Sequence, residues 1–212
     1  MIKIYRKPEP GERFVIGADP AEGGDYSSFV VVSRKYSEVV ISSKSKEESS
    51  QLGYTLNGVA NWLKNNTGHF PLVAVERNTG TATIFVLKEL NYPNIYKAPK
   101  SFLKNYEERD EKYGWSTNQA TRPKMLDDLA LTIRQKAINI PCADIVNEMF
   151  TFIRNEKTGK PEAERGSNDD LVMALAIAWQ VRQLSVEEKS DMVNLTVAKN
   201  KKYKEKFTSI LG

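Results

Sequence analysis

Three kinds of acidic position stand out in the chain. Asp19 closes an apolar run and opens a Gly-containing turn in VIGADPAEGGDYSS. Glu76 ends LVAVERN, a strand-like segment that is otherwise apolar up to the acid. Asp169 and Asp170 stand side by side at the start of the helical pattern in GSNDDLVMALAIAWQ. Each has an ordinary reading of its own: a turn aspartate, a glutamate paired with the adjacent Arg77, and two helix-capping acids favoured by the helix dipole. Their combination carries more chemistry, because a desolvated carboxylate costs several kcal/mol, by a rough estimate, unless a cation compensates it. Oxygen-only ligand sets suit hard divalent ions such as magnesium or manganese. Two such ions about 4 Å apart activate a water and stabilise the leaving oxygen of a phosphodiester without a histidine base. Asp25, across the Gly-Gly turn from Asp19, is a further candidate ligand beside simple turn chemistry.

The composition narrows the alternatives. Only His69 and Cys142 represent their residue types, which disfavours multi-histidine zinc sites, histidine-based triads and internal disulfides. A net charge of +4 over 212 residues leans weakly towards a polyanionic partner. No run approaches the roughly 20 apolar residues of a membrane span, and the N-terminus lacks a signal-peptide pattern, so a soluble, cytosolic protein without membrane contact is expected.

The elements that must position these acids can be read from periodicity. Residues 13–18, 28–33 and 38–43 predict three strands joined by short turns, as in an antiparallel meander. Leu52, Leu56, Val59 and Leu63 predict a helix over 51–65. A strand at 72–76, a helix at 79–90 and a short strand at 94–97 read as a βαβ unit with parallel pairing. Further helices are expected at 123–136 and 168–183, with a β-hairpin between 150 and 165. The expected class is α/β: a mixed sheet of three antiparallel and two parallel strands, flanked by helices and carrying an added hairpin. KNKKYKEKF places five lysines against one glutamate in a polar tail from 185 to 212, expected to be loosely ordered.

Four segments, VIGADPAEGGDYSS, LVAVERN, YGWSTNQATRP and FIRNEKTGKPEAERGSNDDLVMALAIA, occur in an order and spacing that resembles the C-terminal nuclease domains of tailed-bacteriophage terminase large subunits. The resemblance covers about residues 12 to 183 and implies a ribonuclease H and Holliday-junction-resolvase-like fold. It makes Asp19, Glu76 and one or both of Asp169 and Asp170 the catalytic, metal-binding acids, with two Mg2+ or Mn2+ ions. Many relatives carry a histidine before the aspartate pair, where this chain has Asn168.

The implied activity is endonucleolytic cutting of double-stranded, concatemeric viral DNA in the host cytoplasm. The implied partners are an ATPase domain of the same full-length subunit, the portal or procapsid and a small terminase subunit. No GxxxxGK[ST] motif occurs, so the ATPase is expected upstream. The domain reading is then an interdomain remnant at 1–12, a nuclease domain at 13–184 and the lysine-rich tail, with a docking role for that tail on family grounds.

A nuclease of low sequence preference holds DNA through phosphates. The candidate contacts are Arg77, Lys97, Lys100, Arg122, Lys124, Lys157, Lys160 and Arg165, with Trp115 as either a base-stacking or a packing residue. Two other readings fit the same residues: a junction resolvase or transposase of the same fold, and a non-catalytic module that grips DNA or docks the motor.

Overall fold

The computed structural model describes residues 1–21, 25–98, 112–154, 161–163 and 168–183. The apolar run at Phe14–Asp19 forms β2, the next at Ser27–Ser33 forms β3, and Glu38–Ser45 forms β4. These pair antiparallel in sequence order, as the short connections require. The leading residues Ile2–Ile4 add β1 antiparallel to the outer side of β4, and Leu72–Val75 adds β5 parallel to β2. The five-stranded order is therefore β1-β4-β3-β2-β5.

Helices cover both faces because the central strands are apolar on both. Phe14, Ile16, Ala18, Phe29 and Val31 face Leu52, Leu56, Leu63 and Leu87 from α1 (Ser49–Thr67) and α2 (Thr81–Glu89). Val15, Val30, Val32 and Ala74 face the opposite core. That core is built by α3 (Thr121–Arg134), α4 (Ala143–Phe150) and a terminal helix, α5, at 170–183. Residues 171–181 of α5 are buried without interruption, so this helix is enclosed on all sides, not only along one stripe.

Alternation along the strands decides where the acids point. On β2, Val15 belongs to the α5 face, so Gly17 and Asp19 share it. On β5, Ala74 lies on that same face, and Glu76 follows two residues later. Gly17 is where α5 approaches most closely: a Cβ there would collide with the Ala174 carbonyl oxygen and the Ala178 amide nitrogen. The contact brings the start of α5 over the end of β2.

The expected architecture stands, with differences in detail. The helix expected over 51–65 extends from Ser49 to Thr67, and those expected at 79–90 and 123–136 run over Thr81–Glu89 and Thr121–Arg134. The strand expected at 94–97 contracts to single bridges, Ile95 parallel to Val73 and Lys97 antiparallel to Tyr113. Pro93, which has no amide to donate, immediately precedes it. The hairpin is present as β6 (Phe152–Arg154) against β7 (Pro161–Ala163), while the Thr-Gly turn lies outside the described residues, as does the lysine-rich tail. Two elements were not anticipated. β1 has only three exposed residues and α4 only eight, too few for either to show a period.

Replacing Gly17 with alanine is expected to cost about 2–3 kcal/mol, because the new methyl meets backbone that can retreat only by shifting α5. Urea unfolding should show a lower midpoint at unchanged m value; a wild-type midpoint would refute the close approach.

Candidate metal centre

Asp19 and Glu76 become neighbours because β2 and β5 run parallel and end together. Ala18 registers with Val75, and the Glu76 amide donates to the Ala18 carbonyl at 2.8 Å. In the other direction Asp19 registers with Ser28, and Ser28 with Lys44 on β4. A polar row, Lys44, Ser28, Asp19 and Glu76, therefore crosses four strands at one end of the sheet. Its Ser28 hydroxyl donates to the Asp170 carbonyl at 2.7 Å, which ties the start of α5 to the row.

Glu76 is buried, with 4% of its surface exposed. Its Oε2 accepts from the Thr79 amide at 3.0 Å and the Thr79 hydroxyl at 3.1 Å, and its Oε1 from the Thr117 amide at 3.4 Å. Gly80 permits the tight turn beneath it, since a Cβ there would strike the Glu76 carbonyl oxygen and Val75. Arg77 is therefore not what holds Glu76: its backbone amide bonds Trp115, and its guanidinium Nη1 is buried with no hydrogen-bond partner.

The α5 acids each meet a cation. Arg122, second residue of α3, donates from Nη2 to Asp169 Oδ2 at 2.6 Å. Lys44 Nζ stands 2.8 Å from Asp170 Oδ2 and 2.7 Å from Glu148 Oε1. Burial works against the Lys44 charge, yet its bonds to Asp170 and Glu148 hold the ammonium above its ordinary value. Burial likewise raises the Glu148 carboxyl, with Lys44 pulling it down.

Asp19 has no such partner. Among the described residues nothing donates a hydrogen bond to its carboxylate. Burial first, then the charges of Glu76, Asp170 and Asp169, push it up to about 8, with Arg122 acting in the opposite sense. The acids singled out in the sequence thus share one electrostatic neighbourhood. They do not form a finished coordination shell: among the described residues no three His, Cys, Asp or Glu side chains already surround a point fit for a metal. Arg122 and Lys44 occupy that role towards the α5 pair. The donor set is nonetheless right for a hard divalent cation, because among the described residues nothing donates to the Asp19 carboxylate, and a divalent ion would take the place that Lys44 and Arg122 hold on Asp170 and Asp169.

The remaining candidates are spread more widely. Asp25 is exposed, and it is not among the main charges acting on Asp19. Lys97 is exposed and lies over the Tyr113 ring at 5.0 Å, and Lys124 is exposed on α3. Trp115 bridges Glu76 and stacks obliquely on Tyr96 with 6.2 Å between centroids, as a packing residue does. Lys100, Lys157, Lys160 and Arg165 lie outside the described residues. Lys44 and Glu148 were missed. Lys44 carries no local signal that sets it apart from Lys46, and Glu148 sits on the unanticipated α4.

The raised Asp19 value sets a sign for stability. The native carboxyl keeps its proton up to about pH 8, whereas an unfolded one loses it near the ordinary 3.8. Unperturbed by metal, the protein should lose stability as pH rises through that window. In chelator, Asp19→Asn should therefore melt higher than wild type by a margin that grows from pH 5 to pH 8 by at least about 3 °C, roughly 1 kcal/mol for a chain this size. Parallel melting curves for the two proteins would contradict the placement of Asp19 among the other acids.

No family model and no curated protein sequence matches the chain. Solved structures do. The large terminase nuclease from thermophilic phage G20c matches at a TM-score of 0.65 and 20% identity, over 84% of this chain and 87% of its own. The large terminase nuclease domain of Thermus phage P74-26 matches at 0.62 and 21% identity, over 84% of each chain. The human cytomegalovirus terminase nuclease domain, solved after a manganese soak with an inhibitor bound, matches at 0.54 and 13% identity, over 81% and 83%. The G20c nuclease is also known with bound magnesium. At these identities it is the fold that is shared: the mixed sheet of this chain, with helices on both faces, is the ribonuclease H-like fold of large terminase nuclease domains.

Proposed function

We propose that this chain is a metal-dependent endonuclease that hydrolyses phosphodiester bonds of double-stranded DNA, and that it serves viral genome packaging as the nuclease domain of a large terminase subunit. The observation that carries the reading is Asp19, half-buried at a strand end among Glu76, Asp169 and Asp170, with no hydrogen-bond donor on its carboxylate among the described residues. Such an arrangement is repulsive as it stands and becomes favourable when divalent cations enter it. The shared fold with terminase nucleases, one of them known with bound magnesium, adds support.

In this reading Asp19 and Glu76 hold magnesium or manganese from the sheet, and Asp169 and Asp170 hold it from the helix. Two bound ions would supply an activated water and charge stabilisation at the leaving oxygen. The protein supplies the rest. Thr79 and Thr117 fix the Glu76 carboxylate in one orientation through both its oxygens. Arg122, a third exposed and beside the acids, is the best placed of the candidate cations among the described residues to meet a backbone phosphate. Arg77, Lys97 and Lys124, with Lys100, Lys160 and Arg165, would extend the contact along the duplex. The partners in this reading are double-stranded DNA, an ATPase domain of the same subunit, the portal or procapsid and a small terminase subunit, in the cytoplasm of the host cell.

Supercoiled plasmid incubated with the protein and manganese should be nicked and then linearised, and chelator should stop the reaction. Asp19→Asn should lower the rate by at least about 100-fold while the protein remains folded, as removal of a group acting on the reacting phosphate does. Cutting at the wild-type rate by that variant would remove the mechanism. Branched DNA cut far faster than linear duplex would point to a resolvase instead.

A further inference from the structure

Asp169 begins α5: its carbonyl accepts the first helical hydrogen bond, from the Met173 amide at 2.8 Å. An aspartate at that position ordinarily turns its own carboxylate back onto the amides two or three residues ahead. Here it does not. The Asp169 carboxylate meets Arg122, and Asp170 Oδ2 meets Lys44. The two amides in question, of Leu171 and Val172, donate instead to Glu148 Oε2, at 2.8 and 3.2 Å. Glu148 comes from α4, more than twenty residues earlier in the chain, and its other oxygen holds Lys44.

We propose that Glu148 is a positioning residue: it caps α5 in place of the helix's own aspartates and so keeps Asp169 and Asp170 off the helix amides and turned towards the metal site. The proposal rests on the metal-dependent nuclease reading. Its physical basis has two parts. A carboxylate spent on its own helix amides faces the backbone and has fewer lone pairs for a cation. The N-terminus of a helix also carries partial positive charge, so a divalent ion beside it is disfavoured unless a further negative group lies against those amides. Glu148 meets both needs, and its bond to Lys44, which also holds Asp170, fixes the two acids relative to each other.

Manganese binding to the full chain, followed by titration calorimetry, tests this. Glu148→Ala should weaken binding about 10–100-fold, the range typical of groups that orient metal ligands. Glu148→Gln keeps a carbonyl oxygen for the two amides but neither the charge nor the acceptor for Lys44, so it should bind more tightly than Glu148→Ala and more weakly than wild type. A folded Glu148→Ala protein with wild-type affinity would overturn the proposal alone. Failure of the wild-type protein to bind manganese would overturn it together with the nuclease reading.

Amide hydrogen exchange gives a second test that stands even where Glu148→Ala does not fold. In Asp169→Ala and in Asp170→Ala, Leu171 and Val172 should stay as protected as in wild type, since neither aspartate caps them. Loss of that protection in either variant would also overturn the proposal.

Discussion

Gathering four carboxylates at one end of a sheet is electrostatically unfavourable, and the local structure is organised around that repulsion. It is met differently at each acid. Glu76 is fully buried but bonded through both oxygens to backbone and hydroxyl donors. Asp169 and Asp170 are paired with Arg122 and Lys44. Asp19, in the middle, accepts no hydrogen bond from the described residues and has only the opposing charge of Arg122, so desolvation and like charges push its carboxyl up to about 8. A site that solved the repulsion completely with its own cations would have no affinity left for an external one. The stability lost at Asp19 is thus the counterpart of the affinity proposed for it.

Packing enforces this crowding. The acids on α5 lie over Asp19 because the helix lies flat on Gly17, and only a residue without a Cβ admits that contact. Alternation then puts Asp19 and Glu76 on the same face as the helix, since Gly17 and Ala74 are their neighbours two residues back. The small side chains Ala174 and Ala178, which meet Gly17, serve the same end. The electrostatic strain at the site is therefore borne by the hydrophobic burial of α5, whose residues 171–181 leave no solvent-facing stripe.

The acids themselves were legible because their positions break a pattern: a charge ending an apolar strand, twice, and an acidic pair opening an apolar helix. Most of the fold was legible for a related reason, since the long elements repeat their period several times. What escaped the sequence is what works through tertiary contact. Lys44 is one of two lysines around the end of β4, and nothing local distinguishes it from its exposed neighbour Lys46. Glu148 lies on an eight-residue helix with one fully buried side chain, Ile145. The contact of Arg122 with Asp169 was not foreseen either. Partners separated by dozens of residues leave no periodic trace.

Topology explains why strand ends and a helix start meet at this edge and at no other. Had β5 joined β2 antiparallel, Asp19 and Glu76 would have fallen at opposite ends of the sheet, some 15–20 Å apart for strands of this length. Parallel pairing requires the crossover through α1, and it delivers the C-terminal ends of both strands to one place. That is also where ligands sit in open sheets of this kind, outside the carboxyl ends of parallel strands. The antiparallel β3 and β4 contribute something the parallel pair cannot: Ser28 lies near the start of β3 at this edge and Lys44 near the end of β4, so a hydroxyl and an ammonium flank the acids from the same row. One parallel strand pair, β2 with β5, beside the antiparallel β3 and β4 thus puts two carboxylates side by side and still sets a cation across from the helix.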